Sequence, residues 1–470
     1  MSESSILGAL DAAHLQNVGL LTAPNDRGTR RMHKRRLNRS SDEENQDIPL
    51  DVHPQSAAAQ DAFATIPDQL ISRATLEYVG FSEAKADALW SQWTNWPPHG
   101  PSRETDPDTG GLQMSFLKYM TGAFNTGNDT SSDDDRTWAR LMDTFGLSIE
   151  TKQAILDPVF RYIRLSESCV YWAKDTVHMR YYGLMGIQKA SRDRENALRR
   201  AATRPGSGRP PGQLFPNPLY TPSSSSLAAS RSVSGWQQQS SPGISNYSSN
   251  SASAIAARNA PGFVNLFKGI DQERISGLLD DNGSINRIQT LLSSAPSDFS
   301  GRRRLYYFTP DFEVAQYYAV YAKRRANAES VVIIMMSIPN RKIKSLQKPE
   351  ILRLFWPNPE WAQLVWSCRN GRKMPKELRK YQDASLVIGT ISRKPNRAYE
   401  ELASPDDVTG DYVLKVQDSE GRSVPATQYV FGEDGEDILA THGRIKIFPF
   451  VPAELRAWIE KHRDMVRQFP

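Results

Sequence analysis

The stretch from Leu305 to Pro339 constrains this chain more than any other, because three local signals in it agree on a strand, a helix and a second strand. Leu305–Tyr306–Tyr307–Phe308 is short, aromatic and β-favouring. Thr309 then offers a cap, with Pro310 at the first helical position, Asp311 and Glu313 in the first turn and Lys323, Arg324 and Arg325 in the last. Both ends suit the helix dipole. Phe312, Ala315, Ala319 and Ala322 recur at helical spacing, and alanines on one face let a helix lie close to a sheet. Val331 to Met336, with Ile338 beyond, is an unbroken apolar run that reads as a strand covered on both faces. The expectation is the core of a mixed α/β domain, with neighbours supplied from either side.

At 470 residues the chain has room for about three domains at roughly 150 residues each. Its hydrophobic fraction of 39% and its 30 prolines depart from a wholly globular composition, and the deficit is concentrated in two tracts. The formal net charge of +5 is mild for this length and does not by itself argue for nucleic acid. Cys169 and Cys368 are the only cysteines, too few for a disulfide framework or a zinc ribbon, and they fit a reducing compartment. No apolar run approaches the roughly 18 residues that cross a bilayer, and no signal-peptide pattern opens the chain. The expectation is an intracellular protein without a membrane partner, cytoplasmic, or nuclear if its basic cluster serves import.

That cluster lies in residues 1–62, which read as a disordered arm. Arg27, Arg30, Arg31, Lys34, Arg35, Arg36 and Arg39 precede acidic Asp42, Glu43, Glu44 and Asp47. Clustered cations in a flexible arm can meet phosphates or an import receptor; the more common reading is a solvated tail. No aromatics interleave with the run, so stacking on bases is not supported. Residues 63–202 read as an all-α bundle able to serve as a platform for a protein partner. Its helices are expected from Pro67 to Tyr78, from Ser82 through a stripe of Trp90, Trp93 and Trp96 to Pro97–Pro98, over Asp133–Phe145 and Ser148–Tyr162, and from Ser166 to Arg200. A tryptophan stripe at such spacing is more often core than ligand cage. His178 has no second His or Cys at ligand spacing, so no metal site is expected.

Residues 203–261 collapse into Pro, Ser, Gly, Gln and Asn and read as a disordered linker. Residues 262–470 read as an α+β domain. A strand is expected at Phe263–Phe267, a helix at Gln272–Leu279 and a short strand at Ile343–Leu346. A helix at Pro359–Asn370 should be followed by strands at Ala384–Ile391, Tyr412–Val416, Gln428–Phe431 and Arg444–Phe448. A terminal helix over Pro452–Gln468 should dock on the sheet. No histidine lies between Phe263 and Thr441, which leaves no Ser/His/Asp triad in this domain unless His442 or His462 contributes.

Several of these segments occur in the order seen in one superfamily. Leu266–Phe267–Lys268–Gly269 is followed by Tyr306–Tyr307–Phe308–Thr309 with Asp311, Ala315 and Ala319, then by Glu360–Trp361–Ala362 before Arg369. Asp383–Ala384–Ser385–Leu386–Val387–Ile388–Gly389 and Gln428–Tyr429–Val430–Phe431 complete the series. From about Phe263 to His442 the chain resembles the ADP-ribosyltransferase-like superfamily, most of all a branch of small, poorly characterised microbial members. The resemblance implies a split β-sheet gripping NAD in a cleft between two small sheets. It puts Lys268 where a first-strand His or Arg would hold the adenosine ribose, Tyr307 where an aromatic would stack on nicotinamide, and Gln428 where a late Glu or Gln would stabilise the ribosyl cation. An oxocarbenium-like centre needs nearby electron density, and a ring face stacks at low entropic cost. Lys268 departs from the pattern, since an ammonium lacks the planar fork of Arg. Gln428 is neutral, with Glu433 and Glu436 just downstream. Two readings stand side by side: an enzyme using NAD as an ADP-ribosyltransferase or NAD glycohydrolase, and a catalytically inactive member acting as a binding module.

Overall fold

The computed structural model describes residues 4–95, 114–122, 124, 129–202, 245, 248–280, 282–293, 295–417 and 420–467. The Pro97–Pro98 helix stop and most of the 203–261 tract therefore lie outside the described residues. The architecture is mixed α/β, with several small sheets and a helical region in the N-terminal half.

Twelve strands are described: β1 (Thr29–His33), β2 (Phe63–Pro67), β3 (Phe263–Asp271), β4 (Leu292–Ser293), β5 (Leu305–Phe308), β6 (Val331–Pro339), β7 (Ile351–Leu354), β8 (Leu386–Thr390), β9 (Lys415–Gln417), β10 (Ser423–Pro425), β11 (Thr427–Phe431) and β12 (Arg444–Pro449). The principal helices are α1 (Ala9–Asn17), α2 (Arg39–Glu44), α3 (Arg73–Val79), α4 (Glu83–Thr94), α5 (Phe116–Gly122), α6 (Asp135–Phe145), α7 (Ile149–Ile155), α8 (Cys169–Ala202), α9 (Phe312–Arg325), α10 (Asn340–Ser345), α11 (Pro359–Arg369) and α12 (Pro452–Arg467).

The central unit forms where its sequence predicts, with one shift. β5 and β6 take up the expected runs, and β6 is buried on both faces as the middle strand of the sheet β12–β6–β3. α9, however, starts at Phe312 rather than Pro310. Thr309 is drawn away from helix entry because its backbone exchanges two hydrogen bonds with Phe267, at 2.7 and 3.1 Å. That pair is an isolated bridge between β3 and the end of β5, where the three-stranded sheet meets the five-stranded sheet β4–β5–β11–β8–β7.

The two sheets face each other across one apolar layer, in which Leu266, Ile334, Met336 and Ile447 meet Tyr306, Phe308, Ile388 and Phe431. The outer face of the five-stranded sheet, with Leu305, Val387 and Val430, packs on Trp361, Leu364 and Val365 of α11. The outer face of the three-stranded sheet, with Phe267, Ile333 and Met335, packs on α9 and, beyond it, on the helical region in one continuous core. Phe160 stacks on Trp458 of α12 with ring centres 5.4 Å apart, and the Tyr321 hydroxyl donates to the Ile155 carbonyl. The terminal helix thus docks on α9 and the helical region rather than on a sheet. The 63–202 and 262–470 segments, expected as separate units, share one core.

Residues 4–62, expected to be a disordered arm, are folded. β1 pairs with β2 in antiparallel register, from Thr29 opposite Pro67 to His33 opposite Phe63. The arginines of the basic cluster are paired with acceptors in their own chain, Arg30, Arg31, Arg35 and Arg36 part-buried and Arg27 and Arg39 at the surface. Arg30 pairs with Asp68 at 2.6 Å, Arg31 donates to the Pro54 and Ala59 carbonyls, Arg35 and Arg36 share Asp42, Arg27 meets Glu83 and Arg39 meets Asp193. The expectation failed because each acceptor is either a backbone carbonyl or a carboxylate that composition alone does not pair with a given arginine. Trp93 is core, as expected, against Phe116 and Tyr119. Ile343–Leu346 is not a strand, since α10 covers Asn340–Ser345. Gln272–Ile275 forms a single tight turn in place of a longer helix.

Candidate functional site

Side-chain alternation decides which of the residues singled out by sequence can meet. On β5 and β11 the register sets Val430 opposite Tyr307, so Tyr307, Gln428 and Val430 share the outer face of the five-stranded sheet. Lys268 sits opposite Ile334 on β3, on the layer between the sheets. The structure brings Tyr307 and Gln428 together and holds Lys268 apart from them.

Tyr307 and Gln428 converge on Asp298, a buried carboxylate in the loop before β5. Gln428 spends both amide hydrogens there: Nε2 donates to Asp298 Oδ2 at 2.8 Å and to the Thr390 carbonyl at 3.0 Å. Arg369, at the end of α11, donates to Asp298 Oδ1 through Nε at 2.9 Å, and its Nη2 forms an ion pair with the same oxygen at 2.7 Å. Ser392 adds its backbone N–H at 2.6 Å and its hydroxyl at 2.5 Å. Four donors and the paired guanidinium charge make this carboxylate a saturated hub. The Tyr307 hydroxyl accepts the Phe299 N–H at 3.1 Å, and burial together with the Asp298 charge raises its pKa, so it stays a neutral phenol.

A residue from the helical region closes this cluster. Glu167, just before α8, lies 3.5 Å from Arg369 Nη1, and the same nitrogen donates to Asn396 Oδ1 at 3.1 Å. Burial pushes the Glu167 carboxyl up to about 7 against the pull of Arg369, with the Asp298 charge adding to the rise. Burial opposes the charge of Arg369, but Asp298 and Glu167 outweigh it and hold its pKa above the usual range. Arg393 over the Tyr162 ring and Arg397 donating to the Asp129 carbonyl tie the same loops to the helical region.

Lys268 has a different task. Its ammonium donates to the Leu291 carbonyl at 3.0 Å and to Ser293 Oγ at 2.8 Å, joining β3 to β4. Burial, with the nearby Arg274 charge, brings its pKa down to about 8. Of the downstream acids, Glu436 is held outside the Asp298 cluster, accepting from the Tyr306 hydroxyl at 2.6 Å and from Gln289. Among the described residues no group of three His, Cys, Asp or Glu side chains is arranged to hold a metal ion.

Gln428 and Tyr307 stand in the sequence as candidates for NAD chemistry, and Arg369 only as part of a motif, whereas the buried cluster they join is a different arrangement from a cleft with Lys268. Sequence reading missed Asp298, Ser392 and Glu167, which lie in polar connections without periodicity, where the residue type carries no signal until the fold supplies partners. Comparison with protein-family models, with curated proteins and with solved structures finds no match to this chain.

Proposed function

We propose that residues 263–449 form an ADP-ribosyltransferase-like split sheet that acts as a non-catalytic interaction module. The strand order β8–β11–β5, paired to β3 along the backbone by the single Phe267–Thr309 bridge among the described residues, supports the split-sheet part of this reading. The observation that carries the non-catalytic part is the commitment of Gln428. A group that stabilises a ribosyl cation must turn its oxygen to open space, whereas Gln428 is 4% exposed, with its amide nitrogen held by Asp298 and the Thr390 carbonyl in a cluster capped by Glu167. Lys268, the counterpart expected to hold NAD, lies on the other layer. The module reading also gives the helical region a role, since it is fused to the sheets through a common core and presents one rigid body to a partner.

Isothermal titration with NAD and mass-spectrometric detection of free nicotinamide test it on the full chain. Wild type, Gln428→Glu and Glu167→Ala are all expected to give no heat and no nicotinamide at millimolar NAD. Nicotinamide release by wild type would overturn the module reading in favour of an enzyme. Release by Glu167→Ala alone would overturn it in favour of an enzyme whose cleft is capped by the helical region.

A further inference from the structure

Two short basic segments far apart in sequence, Arg302–Arg303–Arg304 and Arg372–Lys373 through Lys376 to Arg379–Lys380, are neighbours at the surface of the five-stranded sheet unit. Residues at their flanks meet. Arg303 Nη1 donates to the Gln382 carbonyl at 3.2 Å, and Gly301, whose positive φ of 57° suits the tight turn before the three arginines, backs onto Gln382 and Met374. All eight cationic side chains are exposed.

The contrast with the N-terminal cluster is the informative point, because there every arginine named above has an internal acceptor. Here Lys380 pairs with Glu360 at 2.6 Å and Arg303 approaches exposed Asp383 only to 3.9 Å. Among the described residues, Arg302, Arg304, Lys373, Lys376 and Arg379 have no carboxylate within ion-pair distance. Arg372 lies 4.3 Å over the Trp366 ring, which fixes its guanidinium in orientation without neutralising it. Eight cations stand against Glu360, Glu377 and Asp383, so this surface region carries an excess equal to the +5 of the whole chain.

We propose that this surface region binds the phosphate backbone of a nucleic acid. Unneutralised cations spread over two adjoining segments can release several condensed counterions at once, and guanidinium forks match phosphate oxygens. A lipid surface fits less well, because none of the large exposed apolar side chains lies in either segment and nothing there can enter the acyl boundary. The inference does not depend on whether the split-sheet unit turns over NAD.

The test uses the full chain and a short fluorescein-labelled single-stranded oligonucleotide, with anisotropy followed across a salt series. Wild type is expected to bind at low salt and to weaken steeply as salt rises. The variant Arg302→Ala/Arg304→Ala/Lys373→Ala/Lys376→Ala/Arg379→Ala should lose about tenfold or more in affinity, with a log–log salt slope shallower by about 3. The variant Lys118→Ala/Lys415→Ala/Lys446→Ala, at exposed positions outside both segments, should bind as wild type does. Circular dichroism checks that both variants are folded. Absence of salt-sensitive binding by wild type, equal losses in the two variants, or preferential binding to phosphatidylserine vesicles would each overturn the proposal.

Discussion

Glu167 shows how one side chain can record the joining of two parts of the molecule. Its carboxyl is pushed from an ordinary 4.5 up to about 7, because burial at the junction costs the charged form more than Arg369 returns. Between those two values the folded state holds a proton that the unfolded chain has released. The group's contribution to stability is therefore fully present below its unfolded pKa and is lost as pH rises through the folded one. This group's contribution to the urea midpoint should fall between about pH 5 and about pH 8, read as the difference between wild type and a variant without the titration. Glu43 and Glu273, also raised to about 7 by burial, act in the same direction. Glu167→Gln, which keeps the shape and removes the titration, should make that decline shallower and leave stability at the upper end equal to or above wild type. A decline as steep as wild type's would mean that Glu167 is already ionised in the folded protein.

At the scale of the element, α9 and β3 are fitted to each other by small residues. A Cβ on Gly269 would lie 2.1 Å from the Ala315 carbonyl oxygen and 3.0 Å from the Ala319 Cβ, so the glycine is required by close approach. Gly269→Ala should destabilise the protein by roughly 1–3 kcal/mol through overpacking against a backbone atom that has no rotamer to relieve it. Chemical denaturation measures this directly, and a neutral result would mean that α9 can slide away from the strand. The same pair of elements explains the shifted helix start. Thr309 has the chemistry of a cap, yet its backbone is held by Phe267, and Asp311 takes the cap position without a side-chain capping bond. A local propensity worth about 1 kcal/mol yields to a strand-to-strand pairing that joins two sheets.

For the whole molecule, the decisive feature is that the helical region and the sheets share one core. Tyr321 and Trp458 from the C-terminal half pack with Phe160, and Tyr321 also meets Trp172 edge-on with centres 4.9 Å apart. Charges cross the same boundary. Asp175 on α8 binds Arg325 at 2.8 Å and also Arg274; burial would raise its pKa, but the two guanidinium groups hold it below the usual carboxylate range. Unfolding should therefore be one cooperative event, with circular dichroism and tryptophan fluorescence giving coincident urea curves. A fragment of residues 262–470 should fail to fold to a soluble species, because it would expose the apolar face of α9 and leave Arg325 without Asp175. Two separated transitions, or a stable fragment, would show that the halves are independent units.

The sequence by itself determined the elements whose signal is local. β5, β6, α11 and the long helix α8 lie within a few residues of where periodicity, caps and breakers put them, since each is specified by its own apolar pattern. Gln428 and Tyr307 could be named from the sequence as positions in an ordered series of short motifs, but not the partners they meet. Only the tertiary structure decided that these two face Asp298 while Lys268 points into the other layer, because strand register fixes the face and register is set by pairing partners distant in the chain. It likewise decided which of two basic clusters is paired throughout its arginines and which keeps most of its cations without a carboxylate. Charge composition is the same kind of fact for both, and only the positions of Asp42, Asp68 and backbone carbonyls relative to each guanidinium distinguish them.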